Sequence, residues 1–293
     1  MSRALRLPSW LAPPAAEVAV EFSVGRVTVT RLGKGGQSLA GSGASEPLPP
    51  GALVPGVVTR NIEHPAVLVA ALKKALERAG FGSPKRVALI LPDAVARVSL
   101  IHLETVPSRP ADLDQLVRWN VKKAAPFPIE EAVLSYVTIA SEPGNTTLAA
   151  VVAHRAVIAE YEAIADAIGA HAGQVEIASF AVINSAVAAR VIPEGDWLLI
   201  YLAADWTTIG IMRGASLVFY RHRANVDDEP LSALVHQTAM YYEDRLGGAR
   251  FSRVVIAGGA SEASRDLARR EISERLQVPV ESMASLLGER GAA

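Results

Sequence analysis

The residues best suited to proton transfer or metal ligation are six histidines, at 64, 102, 154, 171, 222 and 236, and no two of them stand at a metal-ligand spacing. No G-x-S-x-G turn is present to raise a nucleophilic serine. Gly33-Lys34-Gly35-Gly36 lacks both the spacing and the following Ser or Thr of a phosphate-cradling Walker loop. Asp227, Asp228 and Glu229 form an acidic run that reads as a helix start, its charges complementing the N-terminal dipole. Arg221, His222 and Arg223 make a basic knot too small for a nucleic-acid site. The run RVVIAGG, Arg253 to Gly259, is a buried strand closed by a glycine pair, a pattern common to many α/β proteins. No catalytic constellation assembles from these parts.

The elements that would have to position a site are clearer. From Arg86 to Ile139 the chain reads as an apolar strand (Val87 to Leu91), a turn at Pro92-Asp93, a second strand from Val95 to Leu103, and a helix. In that helix Leu113, Leu116, Val117, Val121 and Ala124 form a stripe opposite Asp112, Asp114, Arg118 and Lys122. Pro126 lacks an N–H and disfavours helical geometry at Ala125, so the helix ends there. Phe127, held between two prolines, rides a stiff extended segment suited to plug into a core or a partner.

Upstream, Val18 to Leu32 alternates as a hairpin about Gly25, and Gly33 to Gly56 reads as an aperiodic Gly/Ser/Pro loop. An amphipathic helix follows from His64 to Ala79. Downstream come a strand from Thr147 to Ala153, a helix from Ala156 to Ile168 and a short strand from Val175 to Ile177. Ser179 to Val191 is apolar on every side, which predicts a helix buried between layers with Asn184 as a satisfied core amide. Trp197 to Arg221 repeats the hairpin plan. The helix Leu231 to Leu246 packs through Leu234, Val235, Thr238, Ala239, Tyr242 and Leu246. A charged helix from Ser264 to Leu276 and a strand from Val278 to Val280 complete the chain.

With 50% hydrophobic but only 5% aromatic residues, the core must be built mainly from Ala, Val, Leu and Ile. A net charge of −1 without a basic tract argues against nucleic-acid binding. The absence of cysteine rules out disulfides and thiolate metal sites. Pro8, Pro13 and Pro14 break any signal-peptide core, leaving residues 1–16 as a loose arm whose Trp10 and Leu11 are suited to pack on the body or, as the alternative, to touch a membrane surface. The longest uncharged apolar run, Ile177 to Ala189, falls short of the roughly 18 residues of a membrane span. A soluble protein is expected, with any membrane role exercised through a partner.

The order LPD at Leu91 to Asp93, then W-x-x-x-K-x-A-P-F-P-I-E-E from Trp119 to Glu131, then Ser135-Tyr136 resembles the actin-like type IV pilus assembly protein PilM family, from about Val18 to Val280. That resemblance implies an α/β chain with a duplicated actin-like, ribonuclease H-like fold and an inserted α/β subdomain. It divides the chain into the arm 1–16, a first half 17–84, the insert 85–170, and a connecting helix with the second half, 171–293.

Relatives place phosphate loops at the two hairpins, and this chain departs from both. Glu21 keeps an acid, but Ser23 replaces the close-approach glycine ahead of Gly25. In the second loop Tyr201 replaces the acid that would organise magnesium, Ala203 replaces glycine, Trp206 stands where a small residue is expected, Asp205 is displaced along the turn, and Thr207 keeps the closing threonine. Gly258 and Gly259 match the adenosine motif. The passage from Arg221 to Leu231 is short, so the subdomain that closes the purine side, 2B, is reduced or absent.

The resemblance therefore implies a cytoplasmic, non-hydrolysing scaffold of the pilus assembly platform, a degenerate nucleotide binder at most, with no cofactor expected. Its partner is a PilN-like single-span membrane protein docking through its cytoplasmic N-terminal tail, and Val98, Leu100, Arg118, Trp119 and Phe127 are the candidate contacts. Contact with the assembly motor and self-association are further partners to test. The alternatives are an actin-like ATP-binding protein or ATPase with Mg²⁺ in the inter-domain cleft, and a relative of a type II secretion platform.

Overall fold

A computed structural model describes residues 16–33, 38–142, 144–188, 192, 194–225, 230–259 and 262–286. Trp10 and Leu11 of the arm, Lys34 to Gly36 of the glycine-rich tetrapeptide, and the acidic run Asp227 to Glu229 lie outside the described residues. No described helix is long and apolar enough to cross a membrane.

The chain opens with β1 (Val18–Ser23), β2 (Arg26–Leu32) and β3 (Ser38–Pro47), followed by α1 (Pro65–Arg78) and β4 (Arg86–Leu91). An inserted block then runs β5 (Ala96–Leu103), α2 (Pro110–Val121), β6 (Ala132–Glu142) and β7 (Asn145–His154). After it come α3 (Arg155–Asp166), β8 (His171–Ile177) and α4 (Ala178–Ala188). The remaining elements are β9 (Asp196–Leu202), β10 (Trp206–Arg213), β11 (Ser216–Ala224), α5 (Leu231–Leu246), β12 (Arg253–Gly258), α6 (Glu262–Leu276) and β13 (Val280–Ser282).

Two sheets share one plan. The first has the order β3-β2-β1-β4-β8 and the second β11-β10-β9-β12-β13. Each starts as an antiparallel meander and ends in two parallel strands, β1 to β4 to β8 and β9 to β12 to β13. Identical order and sense in two consecutive stretches of chain is a structural duplication. A third, antiparallel sheet, β5-β7-β6, is inserted between β4 and β8 of the first.

Alternation explains the faces. Val18, Val20 and Phe22 of β1 and Val27 and Val29 of β2 point into a core shared with Leu68 and Leu72 of α1 and Tyr161 and Ile164 of α3. The opposite residues, Ala19, Glu21, Thr28 and Thr30, face the second half across a cavity. In the second half, Leu198, Ile200, Ile209 and Ile211 pack beneath α5 and α6, while Trp197, Leu199 and Met212 meet Ile183 and Ala186 of α4.

Three expectations are corrected. The Gly33 to Gly56 stretch is not wholly loop, because β3 pairs antiparallel with β2 from Arg26↔Pro47 to Thr30↔Gly43. Its ladder is made by the backbone, and Gly43 is needed where a Cβ would stand 2.5 Å from the Val29 carbonyl. Helix α4 packs toward both sheets, but Asn184 lies on its open side, exposed, and donates to the carboxylate of Glu176 on β8. It is no core amide. Helix α2 ends at Val121, a turn ahead of Pro126, with the amides of Ala124 and Ala125 both bonded to the Val121 carbonyl.

Candidate functional site

Between the two halves lies a cleft cavity of 280 Å³ whose walls come from the β1–β2 turn, the β9–β10 turn, the segment after β4 and the end of β12. Glu21, Ser23 and Gly25 line one side, Ala203 and Asp205 the other, and Gly258 and Gly259 the floor. Thr207 points away, donating to Asn225 at 2.7 Å beside a separate cavity.

The polar atoms here are spent on the fold. The Tyr201 hydroxyl donates across the cleft to the Glu21 carboxylate at 3.3 Å, joining the leading strands of the two halves. Burial raises the Glu21 pKa, opposed by the nearby Arg26, and burial likewise pushes the Tyr201 phenol up. Ser23 gives its hydroxyl to the Arg26 carbonyl at 3.1 Å, closing its own turn. Gly258 has φ +75°, and a Cβ there would stand 2.2 Å from the Leu202 carbonyl. The Gly259 amide donates to that same carbonyl at 2.7 Å. The glycine pair thus lets β12 lie close to β9, and its second amide is already used.

Asp93, read in the sequence only as a turn residue, is the most connected group in the cleft. It is buried in a 3₁₀ turn, Asp93–Val95, accepting the Ser179 amide at 2.9 Å at the start of α4 and the Thr208 hydroxyl at 2.6 Å from β10. Burial raises its pKa despite these bonds. Thr208 has one proton; given to Asp93, it leaves His222 as the donor through Nδ1 in their 2.8 Å contact. The other ring nitrogen, Nε2, is then a buried acceptor without a partner among the described residues. Burial first, then the Arg97 charge, pushes the His222 pKa down to about 4, and Trp206 stacks on the ring at 4.6 Å. A polar residue directly after a buried strand was the sequence signal for Asp93. Nothing in the sequence marked His222 as its neighbour.

Among the described residues no three His, Asp or Glu side chains gather as a metal site. The Gly259 amide and the Glu21 acid are engaged internally, and Arg26 lines the same cavity as Glu21, Asp93 and Asp205.

The five candidate contact residues are dispersed. Val98 and Leu100 of β5 lean on the first core and on the cluster beneath the second sheet. Arg118 pairs with Asp114 at 2.7 Å on α2, and Trp119 beside it is 70% exposed. Phe127 sets its edge on His154 at 4.8 Å, and His154 also caps α3 and contacts Glu131 at 2.9 Å.

A second cavity, of 430 Å³, lies where the inserted sheet faces the first. Its walls include Val133, Ser135 and Val137 of β6, Val175 and Glu176 of β8, and Phe180 of α4. Both β6 and β8 are outer strands of their sheets, and Val133, Val137 and Val175 are exposed. The sequence reading missed this groove because its two walls are separated by β7 and α3.

The repeated sheets and the cleft between them define an actin-like α/β protein. The sequence pattern of the type IV pilus assembly protein PilM family matches residues 20–244, and the chain belongs to that family. The fold is similar to that solved for a PilM-PilN type IV pilus biogenesis complex, with a TM-score of 0.74 at 19% identity over 94% of this chain and 90% of that one. It is also similar to the cytoplasmic domain of EpsL, an inner membrane component of the type II secretion system of Vibrio cholerae, with a TM-score of 0.54 at 12% identity over 94% of each chain. No curated protein matches the chain in sequence.

Proposed function

We propose that this chain is a cytoplasmic scaffold of a type IV pilus assembly platform that docks the N-terminal tail of a PilN-like single-span membrane protein and does not hydrolyse ATP. The observation that carries the reading is the 430 Å³ groove between the outer strands β6 and β8. An extended peptide entering there gains main-chain hydrogen bonds from an outer strand, and its alternate side chains fill apolar pockets. The solved relative with the highest fold similarity reported above is itself a complex with PilN. The Glu21–Tyr201 bond supports the non-hydrolysing part, since it ties the halves at the place where a nucleotide enzyme needs a free acid for its metal. Attachment to the inner membrane is then indirect, through the docked tail.

Two measurements test this on the purified chain. A peptide of the first twenty or so residues of a PilN-like single-span protein from the same genome should bind in the micromolar range. ATP with magnesium should neither be turned over nor raise the melting temperature. Micromolar, magnesium-dependent ATP binding would move the function to the cleft and favour the ATP-binding alternative.

A further inference from the structure

Among the described residues, the docking groove has one carboxylate in its wall and no base. Glu176 stands among Val133, Val137, Val175, Ile177 and Phe180, and no described Lys, Arg or His lines the cavity. Its Oε1 accepts from the Asn184 amide, and Oε2 has no recorded bond among the described residues. No described cation forms an ion pair with it either. Glu176 also faces the cavity between the first sheet and the second half, whose described lining again holds no base and includes Glu21. Burial already raises its pKa. Anything that fills the groove strips the remaining water from this carboxylate, and a charge taken out of water must be paired or neutralised.

From this juxtaposition we infer that the docked tail carries a lysine or arginine that reaches Glu176 from within the groove. The inference rests on the docking reading above and adds the chemistry of the occupant. Glu176 follows Val175 on β8, so the two side chains leave opposite faces of that strand, and the cation belongs to the set of tail residues that alternates with the apolar anchor seated on Val175. Asn184 holds one carboxylate oxygen, so the incoming group meets the other in a single charge-assisted bond. Specificity follows from the same arrangement. A tail with a neutral or acidic residue at that position leaves the carboxylate buried and unpaired, and binds worse for that reason.

The test uses the full chain and a fluorescein-labelled peptide of the first twenty residues of that PilN-like protein, with each Lys or Arg changed in turn to Gln. Glu176→Gln keeps the acceptor for Asn184 and removes only the charge. On the intact protein, one of the peptide substitutions should weaken binding by about thirtyfold. On Glu176→Gln that same substitution should have little further effect, and raising salt should weaken only the charged pair. Glu176→Lys with the matching peptide residue changed to Glu should restore part of the affinity. Equal binding to the intact protein and to Glu176→Gln overturns this inference and leaves the docking reading standing. A peptide that fails to bind the intact protein overturns both.

Discussion

Tyr201 and His222 show how single residues have turned a cleft into a joint. Tyr201 donates to Glu21 across the halves, where an acid would set two carboxyls against each other. His222 sits neutral in the same joint, with a pKa near 4 in the folded state against 6.5 for the free side chain. Between these values the unfolded chain binds a proton that the folded chain refuses, so this residue makes stability rise from pH 4 to pH 6.5 and fall again on acidification. Glu21 and Asp93 act in the opposite sense. Their raised pKa values mean that the folded chain holds protons longer, so their contribution falls as pH climbs above the ordinary carboxylate range. Urea denaturation at a series of pH values should therefore show His222→Gln losing up to about 3 kcal/mol of the rise between pH 4 and pH 6.5 relative to the parent. An unchanged slope would mean that His222 is charged in the folded protein.

At the scale of elements, the pairing of β9 with β12 depends on a missing side chain. Gly258 combines a left-handed backbone with a Cβ position 2.2 Å from the Leu202 carbonyl, so Gly258→Ala is strained twice over. It should cost about 3 kcal/mol or more and lower the thermal midpoint by well over 5 °C, or yield insoluble protein. The proline-braked segment after α2 is held more lightly, by the edge of Phe127 on His154. Phe127→Ala should cost about 1 kcal/mol, read from the urea midpoint, with the fold retained. Trp119, exposed on α2, can be truncated without a measurable change in that midpoint.

Two of the molecule's concave places have opposite chemistry. The cleft between the halves is closed by internal hydrogen bonds, while the groove between the first and inserted sheets offers outer strands and exposed valines. Introducing a charge at an exposed groove position separates the two. Val137→Asp should leave thermal stability within about 0.5 kcal/mol of the parent, since the side chain faces solvent, and weaken tail binding at least tenfold. Undiminished binding to Val137→Asp would place the tail elsewhere on the surface.

Periodicity alone determined most of the elements. The alternation in β1 and β2, the stripe on α2 and the packed side of α5, with Leu234, Val235, Thr238, Ala239 and Tyr242 buried, follow from local repeats that the structure retains. The Trp119 to Glu131 signature was enough to indicate the family. Local repeats do not record which distant strands become neighbours. The β3 ladder, whose bonds are made by backbone, left no apolar rhythm to read. Asp93 meeting Thr208, and Val137 facing Val175 across a groove, join segments brought together only when the inserted sheet and the second half pack on the first. Tertiary structure decided those meetings, because burial and pairing at a site belong to the neighbours a residue acquires in space.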